Sequence, residues 1–227
     1  MMPFFLSCLY CKKEVKNVKE GIEYNQKGGG QMAGERKPLP IEFYQRPSVE
    51  LAPLLLGCLL VKETDEGTAS GFIVETEAYM GADDRAAHSF GNRRTKRTEI
   101  MFHEAGRIYT YVMHTHTLMN VVAADIGIPQ AVLIRAAEPH EGQFLMERRR
   151  PGRPPREWTN GPGKLTKAMG ISMNDYGGMI TEQPLYITEG FTPEHISTGP
   201  RIGIDNSGEA RDYPWRYWVT GNRYVSR

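Results

Sequence analysis

The run Gly71-Phe72-Ile73-Val74-Glu75-Thr76-Glu77-Ala78-Tyr79 decides the fold. It is rich in β-branched and aromatic residues and reads as a strand over 71–78. A second β-like run, Cys58–Glu63, precedes it, and the turn-rich Thr64-Asp65-Glu66-Gly67-Thr68 joins the two, with Gly67 able to supply a positive φ. That pattern is a hairpin. Residues two apart on an extended segment share a face, so Glu75, Glu77 and Tyr79 arrive together at the far end of the second strand. A buried carboxylate beside an aromatic ring is what a hydrolytic base needs, whereas a Glu-x-Glu pair judged on spacing alone is a solvated face.

Outward from this hairpin the pattern stays mixed. Upstream, Ser48 is placed to cap a short helix carrying Val49, Leu51, Leu54 and Leu55, which Gly57 stops. Downstream come a polar loop over 80–94, a short helix near 97–103 closed by Gly106, and a half-buried strand over 107–113. His114-Thr115-His116 forms the tip of a second hairpin that returns through 118–123. A strand over 131–138, a basic helix over 141–150 and a helix opened by Gly161-Pro162-Gly163 and running to Met169 follow. Short strands are expected at 185–188, 201–204 and 217–219. Neighbouring strands of this kind make an antiparallel sheet with flanking helices, a mixed α+β domain.

With 227 residues, 40% of them hydrophobic, the chain suits one domain. Residues 1–37 differ from the rest: they are Lys-rich, lack periodicity and end near Lys27-Gly28-Gly29-Gly30. They read as a disordered or mis-assigned extension, with translation starting at Met32 and the domain occupying 38–227. No run approaches the roughly 20 apolar residues of a membrane span, and a signal-peptide layout is absent, so a soluble cytoplasmic monomer is expected. Three cysteines, Cys8 and Cys11 as a lone C-x-x-C and Cys58 in a strand, argue against a disulfide framework or a four-cysteine zinc site.

The net charge is only +1, but its distribution is uneven. Between 147 and 167 seven basic residues, among them Arg148, Arg149, Arg150, Arg153 and Arg156, face two acidic ones, and Arg93, Arg94, Lys96 and Arg97 form a second cluster. Such runs are solvated faces or phosphate contacts. His114-Thr115-His116, with His88 or His103 as a third donor, could in principle hold a metal, but HExxH and zinc-ribbon spacings are missing. Gly161-Pro162-Gly163-Lys164 lacks the spacing of a phosphate-binding Walker loop. Neither a metal nor another cofactor is expected.

The ordered set Glu75-Thr76-Glu77-Ala78-Tyr79, Ala86-Ala87-His88-Ser89, Met101-Phe102, Tyr109-Thr110-Tyr111, Met119-Asn120, Leu133-Ile134-Arg135-Ala136, Glu138-Pro139 and Gly161–Leu165 resembles the alkyladenine DNA glycosylases, also called 3-methyladenine DNA glycosylases. The resemblance runs from about Leu55 to Ser226. It implies a single mixed domain on a curved antiparallel sheet, with a protruding hairpin that enters the DNA minor groove and a pocket for a flipped nucleotide. The implied reaction is base excision: an alkylated or deaminated purine (3-methyladenine, 7-methylguanine, hypoxanthine or ethenoadenine) is flipped from double-stranded DNA and its N-glycosidic bond hydrolysed.

Carried onto these residues, the resemblance makes Glu77 the base that activates water and Arg135 the group that holds this water and the adjoining phosphate. Tyr79, Ala86, His88, Tyr111 and Asn120 form the base pocket, with Asn120 crowding the amino group of normal guanine, and Tyr109 is left to packing. The family's alignment alone selects Glu77 over Glu75, which otherwise reads as a structural hydrogen-bond or ion-pair partner. His114, or else His116, stands where the family places a bulky Tyr to fill the gap left by the flipped nucleotide. Arg93, Arg94, Arg97 and Lys164 are the phosphate contacts. No Lys matches a Schiff-base nucleophile, so hydrolysis without strand cleavage is expected. The competing readings are a non-catalytic nucleic-acid-binding module, which needs the basic patches but not Glu77, and a formyltransferase-like domain of similar sheet architecture.

Overall fold

The hairpin read from 58–78 is the spine of the sheet. Strand β1 (Leu59–Thr64) pairs antiparallel with β2 (Gly67–Tyr79), and Gly67 takes a φ of 121° at the turn. This computed structural model describes residues 36–226. Cys8, Cys11 and the proposed start at Met32 lie outside the described residues.

The other strands are β3 (Ile108–Met113), β4 (His116–Ala123), β5 (Gln130–Glu141), β6 (Leu185–Thr188), β7 (Ile196–Gly199) and β8 (Arg216–Val219). Every pairing is antiparallel, in the order β3-β4-β5-β2-β1-β6, and β8 joins the last third of β2 on one side and β7 on the other. At 13 residues β2 is long enough to pair with β1 through its first half and with β8 through its second. Register shifts between β2 and β5 bend this sheet, because each extra residue increases the local twist.

Three helices cover the sheet: α1 (Ser48–Leu54), α2 (Gln143–Arg149) and α3 (Pro162–Met169). The main core gathers Leu51, Leu55, Leu60, Ile73, Ile134, Leu145 and Met169, all fully buried. A second cluster, built on Met101, Phe102, Tyr109, Tyr111, Leu118 and Leu133, lies over β3, β4 and β5.

Several expectations shift. Ser48 is not the helix cap: Pro47 holds that position, and the buried Ser48 hydroxyl donates to the Tyr79 carbonyl instead, tying α1 to the end of β2. The helix near 97–103 is a single 3-10 turn, Glu99–Phe102. Strand β5 runs on to Glu141, and Gly142, at φ 71°, separates it from the basic helix, because any side chain there would strike the Thr68 carbonyl. The strand expected at 201–204 is a loop. Arg201 is drawn inward by Asp84 and Gly203 takes φ 78°, while the unforeseen strand β7 forms a little earlier, as an exposed edge.

Candidate active site

A bulge in each of two strands creates the charged centre. The register passes from Ile73↔Ala137 to Glu75↔Ala136 and then to Thr76↔Ile134, so Val74 on β2 and Arg135 on β5 are each left without a partner. An unpaired bulge residue re-aims its side chain, and Arg135 is thereby turned onto both carboxylates of β2. Its Nε donates to Glu75 Oε1 at 3.0 Å, its Nη1 lies 3.2 Å from Glu77 Oε1, and its Nη2 donates to Ser226 Oγ at 3.2 Å.

The two glutamates share a strand and differ in surroundings. Both are fully buried. Glu75 is saturated: besides Arg135, it accepts from Arg216 Nε at 2.7 Å and from the backbone N–H and hydroxyl of Ser226. Glu77 has Arg135, the Ile202 N–H at 2.7 Å and the Tyr79 hydroxyl at 2.9 Å. Burial pushes the Glu77 carboxyl above the usual range, and the opposing pull of Arg135, Ile202 and Tyr79 does not cancel that. Burial likewise works against the Arg135 charge, but its two carboxylates outweigh it and hold the guanidinium protonated more firmly than usual.

In front of Glu77 lies a cavity of about 390 Å³, within the range of small-molecule sites. Tyr79, Ala86, His88, Tyr111, Asn120 and Arg135, six residues singled out from the sequence, all line it. Glu77 itself sits just behind the wall made by its partners Tyr79, Arg135 and Ile202. Tyr109, assigned to packing, lines the cavity as well: its hydroxyl lies 2.8 Å from His88 Nδ1 and its ring is 5.5 Å from that of Tyr111. The His88 ring meets Tyr111 edge-on at 4.6 Å. Burial, and then the nearby Arg97 charge, lower the His88 pKa to about 4, so the imidazole is neutral at physiological pH. Asn120 is buried and donates to the Tyr109 carbonyl across the β3–β4 pair.

The far wall was missed from the sequence. Residues 202–207 form it, anchored by a fully buried ion pair in which Arg201 binds Asp84 through both nitrogens, at 2.5 and 2.8 Å. Asp84 also accepts from the N–H groups of Met80 and Ala86. The Arg201 guanidinium stacks 4.7 Å from the Tyr79 ring centre. A basic residue two positions before Gly203 gave no sign of being buried.

The β3–β4 hairpin ends in a two-residue turn, His114-Thr115, with φ of 47° and 71°, and residues 112–116 are all exposed. His116 abuts Gly163 at the start of α3, which leaves His114 at the tip. The basic residues divide. Arg93 is exposed and makes no ion pair among the described residues. Arg94 is held by Glu99 at 2.6 and 2.9 Å and stacks on Phe102, so its charge is already offset. Arg97 stacks on Tyr111 and touches His88. Lys164 donates to Asn160 at 3.0 Å. Arg148 and Arg149 both bind Glu66 at the β1–β2 turn, the end of β2 remote from Glu77 by roughly 30 Å of extended chain.

Residues 42–223 match the family model described as Methylpurine-DNA glycosylase. The chain belongs to that family. It is 97% identical over 196 residues to a protein of Bacillus velezensis and 83% identical over 196 residues to one of Bacillus subtilis, in each case covering 86% of this chain and all of the relative. A relative from Listeria monocytogenes is 50% identical over 185 residues, covering 81% of this chain and 89% of its own length. All three carry the name "Putative 3-methyladenine DNA glycosylase". Membership makes this chain a DNA glycosylase, a hydrolase of DNA repair whose substrate is DNA. No helix among the described residues is long and apolar enough to cross a membrane.

Proposed function

We propose that this glycosylase removes alkylated and deaminated purines, namely 3-methyladenine, 7-methylguanine, hypoxanthine and ethenoadenine, from double-stranded DNA and leaves an intact strand with an abasic site. The observation that carries the reading is Glu77, fully buried, pushed toward basicity and held by Arg135, Ile202 and Tyr79 behind a cavity walled by aromatic rings.

The lesion base flips into the cavity and stacks among Tyr79, His88 and Tyr111, with Ala86 and Asn120 bounding its edge. His114 fills the vacated place in the duplex, and His116 is the second candidate. Ionised Glu77 accepts a proton from a water held with Arg135. The water oxygen bonds to the sugar carbon, and the electrons of the breaking N-glycosidic bond pass to the purine. A cationic purine becomes neutral as it leaves, whereas a neutral one must gain a proton first. Tyr79 releases its hydrogen bond to Glu77 to admit the water.

No lysine lines the cavity among the described residues, which supports simple hydrolysis without a Schiff base. Arg93 suits a phosphate contact, and Arg94 and Lys164 join it once they exchange Glu99 and Asn160 for phosphate. The protein works as a monomer in the cytoplasm, on the nucleoid. The test is single-turnover release of free base from duplexes carrying 3-methyladenine, 7-methylguanine or hypoxanthine, comparing wild type with Glu77→Gln. Release by wild type alone is expected; DNA bound by both with release by neither would favour a non-catalytic binding module.

A further inference from the structure

Two of the three cavity tyrosines, Tyr79 and Tyr111, are each backed by a guanidinium, and the two backings differ in charge. Behind Tyr79, 4.7 Å from its ring centre, Arg201 is neutralised by its bidentate bond to the fully buried Asp84. On Tyr111, Arg97 lies 4.9 Å from the ring centre, with Nη2 3.1 Å from His88 Nε2. Arg97 has no carboxylate partner among the described residues, and it is not part of the cavity lining, so it occupies the outer face of the aromatic wall. Of the other charges at the site, Glu75, Glu77, Arg135 and Arg216 are paired with one another, while the exposed Asp205 lines the far wall without an ion pair among the described residues, a negative charge that is the same in wild type and in any Arg97 variant.

We propose that Arg97 sets the charge preference of the cavity: acting through Tyr111, it disfavours a positively charged base relative to a neutral one. This rests on the reading of the cavity as a flipped-purine site. An aromatic face attracts a cation through its electron-rich centre. A ring that already holds a guanidinium on one face has less attraction left for a cation on the other. The two positive charges also repel each other directly across the ring, at a separation of about 8 Å, roughly one Debye length in physiological salt, where a partly buried path screens them incompletely. A neutral purine keeps its stacking and escapes both effects. Arg97 is thus a positioning residue for specificity, levelling cationic and neutral lesions that unmodified rings would rank steeply.

The experiment measures binding in the non-cleaving Glu77→Gln background, alone and combined with Arg97→Gln or Arg97→Lys. Two duplexes differ only at the central base, 7-methylguanine held at a pH where it is cationic, or hypoxanthine. Any phosphate contact of Arg97 is common to both duplexes and cancels in the affinity ratio. The expected result is that Arg97→Gln shifts the ratio toward 7-methylguanine by roughly three- to tenfold, while Arg97→Lys, which keeps the charge, leaves it within about twofold. Equal weakening of both duplexes by Arg97→Gln would overturn the inference and make Arg97 a phosphate contact only. A shift as large with Arg97→Lys would overturn it too, by making shape rather than charge the cause. If protein with Glu77 intact releases neither base, the glycosylase reading fails; release with an unchanged ratio defeats this inference alone.

Discussion

Glu75 and Glu77 hold the same guanidinium from two sides, Arg135 Nε lying 3.0 Å from Glu75 and Nη1 3.2 Å from Glu77. Arg216 supplies a second positive charge to Glu75, and Ser226 gives it two further hydrogen bonds, so Glu75 accepts four hydrogen bonds where Glu77 has three polar partners, one of them the cavity-lining Tyr79. The geometry therefore gives two chemically identical side chains different surroundings, which is what the proposed roles of structural hub and base require.

The separation predicts opposite effects on stability. Replacing Glu75 by Gln takes the carboxylate from the partly buried Arg216 and one of the two that hold the buried Arg135, and should cost about 3 kcal/mol. Replacing Glu77 by Gln removes a carboxylate whose ionisation burial opposes, and should leave stability unchanged or raise it near neutral pH. Urea unfolding of the two variants checks this, and a loss of equal size at both positions would contradict the assignment.

For activity, Glu77→Gln should lower single-turnover release by about 10²- to 10⁴-fold while DNA is still bound. With Glu77 as the proposed base, the wild-type rate would need its ionised form, and its pKa lies above the ordinary carboxylate value. The rate on a cationic lesion should therefore fall as pH drops through that raised value, giving an acid limb displaced upward from the normal glutamate range. A pH–rate profile flat down to an unshifted glutamate midpoint would contradict the burial argument.

His88 should titrate near 4, well below a free imidazole, because burial and then Arg97 disfavour its charge. Its ring resonances should accordingly stay fixed from neutral pH to about one unit above that midpoint. NMR titration of the imidazole gives the value directly, and removing the Arg97 charge should move it upward.

The His114-Thr115 turn places two non-glycine residues, one of them β-branched, at positive φ. Two-residue hairpin turns of this kind favour Asn-Gly. Thr115→Gly should relieve roughly 1 kcal/mol of strain, seen as a higher melting temperature. His114→Tyr should strengthen binding to damaged duplex by offering more stacking area, measurable by anisotropy against undamaged DNA.

Among the basic residues, Arg93→Ala should reduce the salt dependence of DNA binding by about one unit of slope. Arg148→Ala and Arg149→Ala should leave that slope unchanged, since both side chains are bound to Glu66 at the far end of β2.

The first hairpin, the β3–β4 hairpin and the antiparallel sheet were legible because alternation and turn residues are local signals, carried by stretches such as Ile73–Tyr79. The cavity residues were legible through ordered family motifs. What escaped depends on long-range pairing. The bulges that re-aim Arg135 leave no mark in composition, and the inward turn of Arg201 depends on Asp84, 117 positions earlier in the chain. Tyr109 shares a strand face with Tyr111, so alternation carried the signal, but that face reads equally as core until His88 and the cavity are seen beside it. Ser48 matched a helix cap, but its hydroxyl found the Tyr79 carbonyl of a strand instead.

Asp84 and Arg201 join the segment that begins after β2 to the segment that forms the far wall, with the Tyr79 ring clasped between their guanidinium–carboxylate bond and the cavity. Two stretches of chain become a single rigid jaw. On the function proposed above, an extruded base would meet a wall already in place before it arrives, rather than one that closes around it.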